Sequence, residues 1–597
     1  VFSDKLQTLS EVIHPVILAP PASDRTLWTS LPAELSKITI DQGKTALSLT
    51  WPHLPISGFL EFVRSGDRDV HQEKSFARRR ILNALVLAEC VEHSGRYMDA
   101  IVDALFSLCE ETAWQLPAHN SYHRGGARLP LPDSSRPIID LFAAETGAQL
   151  ATIVALLRDE MNSISPEVTN RIERELQTRI FAPYLNSHFW WMGDGDEPMN
   201  NWTAWCTQNV LQAAFAIQLP GKTLRKIVIK AAHSLDAFAK DYGNDGACSE
   251  GAAYYHHAAL CMGNALRILS AAAPETFGHL WQHEKIRNMA EFIAKMHVVD
   301  GYFFNFSDAA AVLESCGTAE FLFGKAVRSE LLMSFAAEQF ATRGGPRLSN
   351  ELNLQARIDA LFGNAEITQH KPGPRTQATT YFPSIELMVS QHGEFSLAVK
   401  GGTNGDSHNH NDVGSFTLYK AGRPVLIDVG VETYTAKTFS SRRYEIWTMQ
   451  SGFHNLPSFG GIEQKDGAEF RAKHVVFEDT ASCASLSLDI SDAYPSAAQV
   501  SRYHRHVSLG DETGFLLTDS FDSRSPVTHS LMFTEMPELG EDRIHLPGLA
   551  TLSLTDVSQM RLEHISITDA RLRQSWPETL YRVVLTLSGN AFTLSAR

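Results

Sequence analysis

Apolar positions recur every three to four residues from about Ser75 to about residue 342, the period of helices that bury one face. Arg-Arg-Arg-Ile-Leu-Asn-Ala-Leu-Val-Leu-Ala-Glu-Cys-Val-Glu (78–92) and residues 97–110 predict an antiparallel helix pair hinged at Ser94-Gly95. Further helices are predicted over 138–162, 166–181, 202–218, 222–240, 251–271, 283–297 and 318–342. Short connections between successive pairs point to an α/α toroid or bundle, although no short exact repeat marks it. Residues 1 to about 70, with Trp28, Trp51 and several prolines, predict an irregular segment packed on the helical domain.

The pattern changes between residues 367 and 380. Gln-His-Lys-Pro-Gly-Pro-Arg-Thr-Gln reads as a linker. Beyond it, β-branched and aromatic residues alternate with polar ones over 395–400, 415–420, 425–429, 502–507, 514–520 and 582–587. Alternation with a period of two predicts antiparallel strands of a β-sandwich running to the C-terminus. The expected organisation is an N-terminal segment at 1–70, an incomplete α/α toroid at 71–370 and an antiparallel β-sandwich at 380–597.

Composition narrows the functional classes. At 597 residues the chain is long enough for two or more full cores. The formal charge of −16 disfavours nucleic acid as a partner and requires any cleft for an acidic ligand to be locally basic. His119, His123, Arg124 and Arg128 form one basic patch and Lys437, Arg442 and Arg443 another; either is equally readable as solvated surface. No apolar run reads as a membrane span. The opening Val-Phe-Ser-Asp shows no leader, so a signal peptide is expected to be absent or already removed. Seven cysteines without paired spacing, an odd number, argue against a disulfide framework and mildly favour a reducing compartment, although a periplasmic protein also carries free thiols at times.

Chemistry concentrates between Asn404 and Gly430, where His408, His410 and Asp412 alternate with Asn409 and Asn411. On extended backbone that alternation puts the titratable groups on one face. Further on come Asp428 and His454, and two histidines with one carboxylate suit zinc, but the gaps match no short zinc signature. A hairpin turning at Gly422-Arg423 would set Asp428 opposite Thr417 rather than His410, so residue chemistry alone leaves the metal open.

The helical half offers three more stretches. Trp114-Gln-Leu-Pro-Ala-His119-Asn120 is an aromatic and amide loop. Trp190-Trp191 through Asn200-Asn201-Trp202-Thr-Ala-Trp205 places four tryptophans and two asparagines near one helix start. That set suits sugar rings and their hydroxyls, or equally a capped helix with tryptophans in the core. Glu250-Gly-Ala-Ala-Tyr254-Tyr255-His256-His257 supplies acid and base groups, or packing.

Taken together, His-Asn-His-Asn-Asp-Val-Gly-Ser-Phe, the following Asp428, the stretch from Tyr434 to His454, Asn-Asn-Trp and Glu-Gly-x-x-Tyr resemble the heparinase II/III family of polysaccharide lyases. The resemblance spans about Trp114 to His454. It implies that His408 is catalytic and that His410, Asp428 and His454 hold one structural zinc per chain. It further implies that Asn201 and Tyr254 act on substrate. Tyr255 is the alternative tyrosine, and Tyr254 is favoured because it lies four residues after Glu250 and would share its helix face. Trp114, His119, Asn120, Trp202, Tyr434, Arg442 and Arg443 are the expected substrate-binding groups. Some family members have a histidine beside the asparagines; here Trp202 holds that position, which leaves the carboxylate to Asn201.

The implied reaction is β-elimination on a 4-linked uronic acid, in a glycosaminoglycan such as heparan sulfate. Alginate or its oligomers are the second substrate class, and a non-catalytic acidic-carbohydrate binder on the same scaffold is the reading from another class. An enzyme of this kind is expected in the periplasm or outside a bacterium, or in the cytoplasm if it acts on imported oligosaccharides. Its oligomeric state, a homodimer included, is open.

Overall fold

A computed structural model describes residues 1–193, 195–344, 351–373 and 379–597. The linker reading at 369–377 lies in part outside the described residues. The chain forms two compact units. Unit 1 comprises Val1–Tyr242, His256–Ala290 and Cys316–Pro372; unit 2 comprises Gly243–Tyr255, Glu291–Ser315 and Gly373–Arg597.

Unit 1 is an incomplete α/α toroid of helix pairs. Its main helices include Asp69–Glu92, Met98–Cys109, Leu141–Ile164, Asn201–Ala216, Gly221–Asp241 and Ala259–Ala272. Leu141–Ile164 is, among the described residues, the one helix long and apolar enough to cross a membrane, yet 83% of its apolar window is buried. A helix apolar on all sides here is a core helix. Its first turn is capped by Asp140, whose Oδ1 accepts the Ala143 N–H at 2.7 Å.

Three expectations need correction. The N-terminal 70 residues are not irregular: Ala33–Ser48 and Ile56–Ser65 are helices. The first buries Leu35, Thr39, Gly43 and Ala46, a stripe of small residues that a search for large apolar ones passes over. A Cβ on Gly43 would stand 2.2 Å from that of Ala88, so glycine permits the close approach of this helix to Asp69–Glu92. The segment at 251–271 is broken: Gly251 takes φ +90°, Ala252–His257 is a 3₁₀ turn, and the α-helix starts at Ala259. Glu250 and Tyr254 therefore do not share an α-helix face. The segment at 318–342 is likewise two helices, Thr318–Ala326 and Glu330–Thr342, divided by Arg328 at φ +56° and by the Ser329 cap.

Unit 2 is an antiparallel β-sandwich. Its largest sheet orders Lys473–Thr480, Cys483–Asp489, Val500–Gly510, Gly514–Ser523, Ala591–Ala596, Ala550–Thr555, Arg543–Leu546 and Glu538–Leu539. A five-stranded sheet runs Thr380–Phe382, Leu387–His392, Phe395–Lys400, Phe416–Lys420 and Arg423–Leu426, and a four-stranded sheet contains Val527–Phe533 and Thr579–Leu587. Inward alternation gives one core that includes Leu397, Val399, Phe416, Leu418, Leu486, Leu517, Leu531 and Leu585. The hairpin after the His-rich loop turns at Ala421-Gly422, both at positive φ (48° and 77°), rather than one residue later. Lys420 pairs with Arg423 and Leu418 with Leu426, with a shift of register between them.

Candidate active site and metal centre

The loop joining Phe395–Lys400 to Phe416–Lys420 is irregular, and His408 sits in the left-handed region at φ +56°. Side-chain ties fix it. Asn404 Nδ2 donates to Gln464 Oε1 and to the Lys465 carbonyl, both at 3.0 Å, and the Asn411 N–H donates to the Met449 carbonyl at 3.0 Å. Asp412 pairs with buried Lys400 and is thus separate from the two histidines. A non-glycine residue held at positive φ in such a frame is a candidate functional position.

His408 and His410 meet on Asp308, from a different part of unit 2. His408 Nδ1 lies 2.7 Å from Asp308 Oδ2, and His410 Nε2 lies 3.0 Å from Oδ1. Arg443 Nη2 donates to Oδ1 at 2.6 Å and the Tyr434 hydroxyl to Oδ2 at 2.9 Å. The Tyr254 hydroxyl is 3.1 Å from His408 Nδ1 and bonds the Tyr434 hydroxyl directly. Arg571 lies 4.4 Å over the Tyr434 ring and donates to the Asp308 carbonyl at 3.1 Å.

These contacts set the protonation states. Burial acts to raise the Asp308 carboxyl, but hydrogen bonds from His408 and His410, with the nearby positive charge, hold it well below the usual range. Burial acts to lower His408, yet the bond to Asp308 wins and its pKa is raised. Burial pushes Tyr254 well above the ordinary phenol value, with the neighbouring Tyr434 and Asp308 acting in the same direction. Tyr254 is therefore a neutral hydroxyl at rest. In the neutral form of His408, Nδ1–H directed at Asp308 leaves the lone pair on Nε2.

A second cluster lies behind this one. His410, Asp428 and His454 bring one ligand atom each to within 4.8 Å of one another, all buried. His454 Nε2–H donates to the Thr448 carbonyl at 2.9 Å, which leaves Nδ1 facing Asp428 Oδ2 at 2.6 Å. Two acceptors face one another there unless a proton or a cation lies between them. His410 spends Nε2–H on Asp308 and leaves a buried Nδ1 without a partner. Two imidazole lone pairs and a carboxylate oxygen thus converge, each oriented by an outer hydrogen bond, and the donor set fits zinc. Asn305 Nδ2 contacts the Asp428 carbonyl at 3.2 Å and its Oδ1 at 3.3 Å.

Of the remaining expected residues in unit 2, Tyr255 is fully buried in the core, and Arg442 is exposed and paired with Glu445 at 2.8 Å. In unit 1, His119, Trp202 and Trp190 cluster, with ring centroids 4.6 Å and 5.1 Å apart. Asp140 Oδ2 holds His119 Nδ1 at 2.6 Å. Asn201 opens its helix behind the Asn200 cap and is 6% exposed. Trp114 and Asn120, in the same loop as His119, have structural partners. The Trp114 indole donates to the Leu108 carbonyl at 3.0 Å, and Asn120 Nδ2 donates to the carbonyls of Leu129 and Leu131 at 2.7 and 2.9 Å.

Sequence reasoning missed Asp308, Asn305 and Arg571. The first two sit in Phe304-Asn305-Phe306-Ser307-Asp308, whose polar residues amid aromatics were the available signal; Arg571 gave none.

No curated protein matches the sequence. Residues 374–571 match the family model described as heparinase II/III-like, C-terminal. Among solved structures, a heparinase III is similar with a TM-score of 0.62 at 13% identity, covering 99% of this chain and 88% of that one. A mutant of heparan sulfate lyase from Pedobacter heparinus gives 0.57 at 14% identity, covering 100% and 87%. A mutant of chondroitin AC lyase from Streptomyces coelicolor A3 gives 0.54 at 12% identity, covering 97% and 83%. These likenesses concern the fold, and the family match concerns the part of the chain that holds His408, His410, Asp428, Tyr434 and His454. Residues 374–571 are thus similar to the heparinase II/III-like C-terminal domain.

Proposed function

We propose that the protein is a polysaccharide lyase that cleaves a 4-linked uronic-acid polymer or oligomer by β-elimination, with a glycosaminoglycan of the heparan sulfate kind as the substrate class. The observation that carries the reading is the convergence of His408 and Tyr434 on buried Asp308, with the Tyr254 hydroxyl bonded to both of them. An amide or guanidinium at the uronate carboxylate makes C5–H acidic enough to remove by stabilising the enolate-like charge. Asn201 takes that part on the family pattern, and Arg571 supplies positive charge beside Tyr434.

For an epimer with C5–H and C4–O on opposite faces, His408 Nε2 takes the C5 proton. The C5–H electron pair becomes the C4=C5 double bond, the C4–O bond breaks, and the Tyr254 hydroxyl protonates the leaving oxygen. Where the two lie on the same face, Tyr254 serves as both base and acid, and its raised pKa makes the base step the harder one. His410, Asp428 and His454 would hold zinc, whose chemistry here is charge compensation and bracing rather than substrate activation. His410 passes that bracing to Asp308.

Incubation with a panel of acidic polysaccharides tests the reading. Ultraviolet absorbance from the conjugated unsaturated uronate should grow with a glycosaminoglycan. Growth with alginate alone would move the substrate class, and binding without any chromophore would leave only a carbohydrate-binding protein.

A further inference from the structure

Unit 1 contains a second convergence of metal-ligating side chains, made of residues other than the catalytic and candidate zinc residues above. His256 ends the 3₁₀ turn Ala252–His257, Cys316 precedes the helix Thr318–Ala326, and Glu320 lies in that helix's first turn. One ligand atom from each lies within 4.8 Å of the others. His256 Nε2 is 3.1 Å from Glu320 Oε1 and 4.0 Å from Cys316 Sγ. Tetrahedral zinc, with bonds of about 2.0–2.3 Å to nitrogen, oxygen and sulfur, needs ligand separations of roughly 3.3–3.6 Å, a few tenths of an ångström from the two His256 distances.

Local structure prepares the set. Glu320 Oε2 accepts the N–H of the N-cap residue Gly317 at 2.6 Å, which fixes the carboxylate and turns Oε1 toward His256. Cys316 and Glu320 are buried at 1% and 4% exposure, while the His256 side chain is 28% exposed and opens one side of the cluster to solvent. Three protein ligands with a solvent-facing fourth position make an ordinary divalent zinc geometry. The charges also close: a thiolate, a carboxylate and a neutral imidazole neutralise a divalent cation, so the buried complex carries no net charge.

We propose that His256, Cys316 and Glu320 form a second divalent metal site, of zinc type, with water at the fourth position. On binding, the Cys316 S–H bond breaks, its proton passes to solvent, and the thiolate electron pair goes to the metal. His256 and Cys316 are each the first residue of unit 1 after one of the two passages through unit 2 from which the chain returns. The metal would clip these two points of re-entry together within unit 1.

The thiolate gives the test a signature that the His410, Asp428 and His454 set cannot produce. The full-length protein, stripped of metal and titrated with Co²⁺, should develop a near-ultraviolet thiolate-to-cobalt charge-transfer band. Cys316→Ser should abolish that band and lower zinc stoichiometry by about one per chain, while His454→Ala keeps the band. His256→Gln, which leaves the thiol intact, should weaken it. Cobalt-treated wild type with no thiolate band overturns the proposal, whether or not the other site binds. A band that survives Cys316→Ser overturns it too.

Discussion

Asp308 accepts from two imidazoles, a guanidinium and a phenol, and its two oxygens divide these partners. Oδ1 holds His410 and Arg443, and Oδ2 holds His408 and Tyr434. Asp308→Asn keeps the shape but puts an N–H₂ where one oxygen stood. If that group faces His408 Nδ1, the imidazole turns to the tautomer with the proton on Nε2 and loses its capacity as a base. Turnover should then fall at least about a hundredfold, as for other wrongly oriented catalytic histidines, with KM little changed. A variant with near-normal kcat would remove Asp308 from the mechanism. Tyr254→Phe should cost at least about a hundredfold in kcat by losing the proton donor, while Tyr255→Phe, at a core position, should leave kcat near wild type. The opposite ranking would exchange their roles. The histidines, the tyrosines and Arg443 were legible because each lies in a stretch that resembles the family's pattern, Tyr254 in Glu-Gly-x-x-Tyr and the others between His408 and His454. Asp308 lies in none of those stretches, and only the fold joins it to His408.

At the scale of elements, the His-rich stretch reads as alternating extended chain, and that pattern misleads. The loop turns at His408, sends Asp412 to Lys400, and brings His408 and His410 to the two oxygens of one carboxylate. Tertiary ties from Gln464 and Met449 override the local alternation. The strands beside it were legible to within a few residues because their inward positions face a single core. The helix Ala33–Ser48 was not, because its buried stripe is built from small residues. The candidate metal set shows the same dependence on the fold: His410, Asp428 and His454 come from the loop, the end of the hairpin and a 3₁₀ turn region. His454→Ala leaves Asp428 buried without its main partner and should cost roughly 3 kcal/mol of stability. A chelator should lower the Tm of the wild type more than that of His454→Ala, since the variant has already lost the ligand set. Equal chelator effects on the two proteins would separate that set from any zinc contribution to stability.

Across the whole molecule, a charge of −16 meets a proposed polyanionic substrate, so attraction has to be local. Arg443 and Arg571 beside Asp308 provide it within unit 2, while the bulk of the surface repels. The same scale governs acid sensitivity, through histidines buried as neutral groups away from the catalytic residues. Burial pushes His71 down from 6.5 to about 4, and it packs edge-on against Phe59 at 5.2 Å. Burial, reinforced by Arg505, pushes His529 down to about 3; its Nε2 accepts from Arg505 Nη2 at 2.9 Å and has no room for a proton. Both folded values lie below the unfolded one, so the unfolded chain binds more protons as pH falls. The stability these groups contribute is complete above 6.5 and drains away as pH drops toward 4, by roughly 3 kcal/mol for a histidine shifted as far as His71. Thermal unfolding should therefore show Tm falling between pH 7 and pH 5, before most carboxylates titrate. His529→Gln keeps an acceptor for Arg505 and removes the proton uptake, so its Tm should depend less on pH than that of the wild type. A Tm that is flat over this range in the wild type would mean that these histidines are not held neutral by the fold.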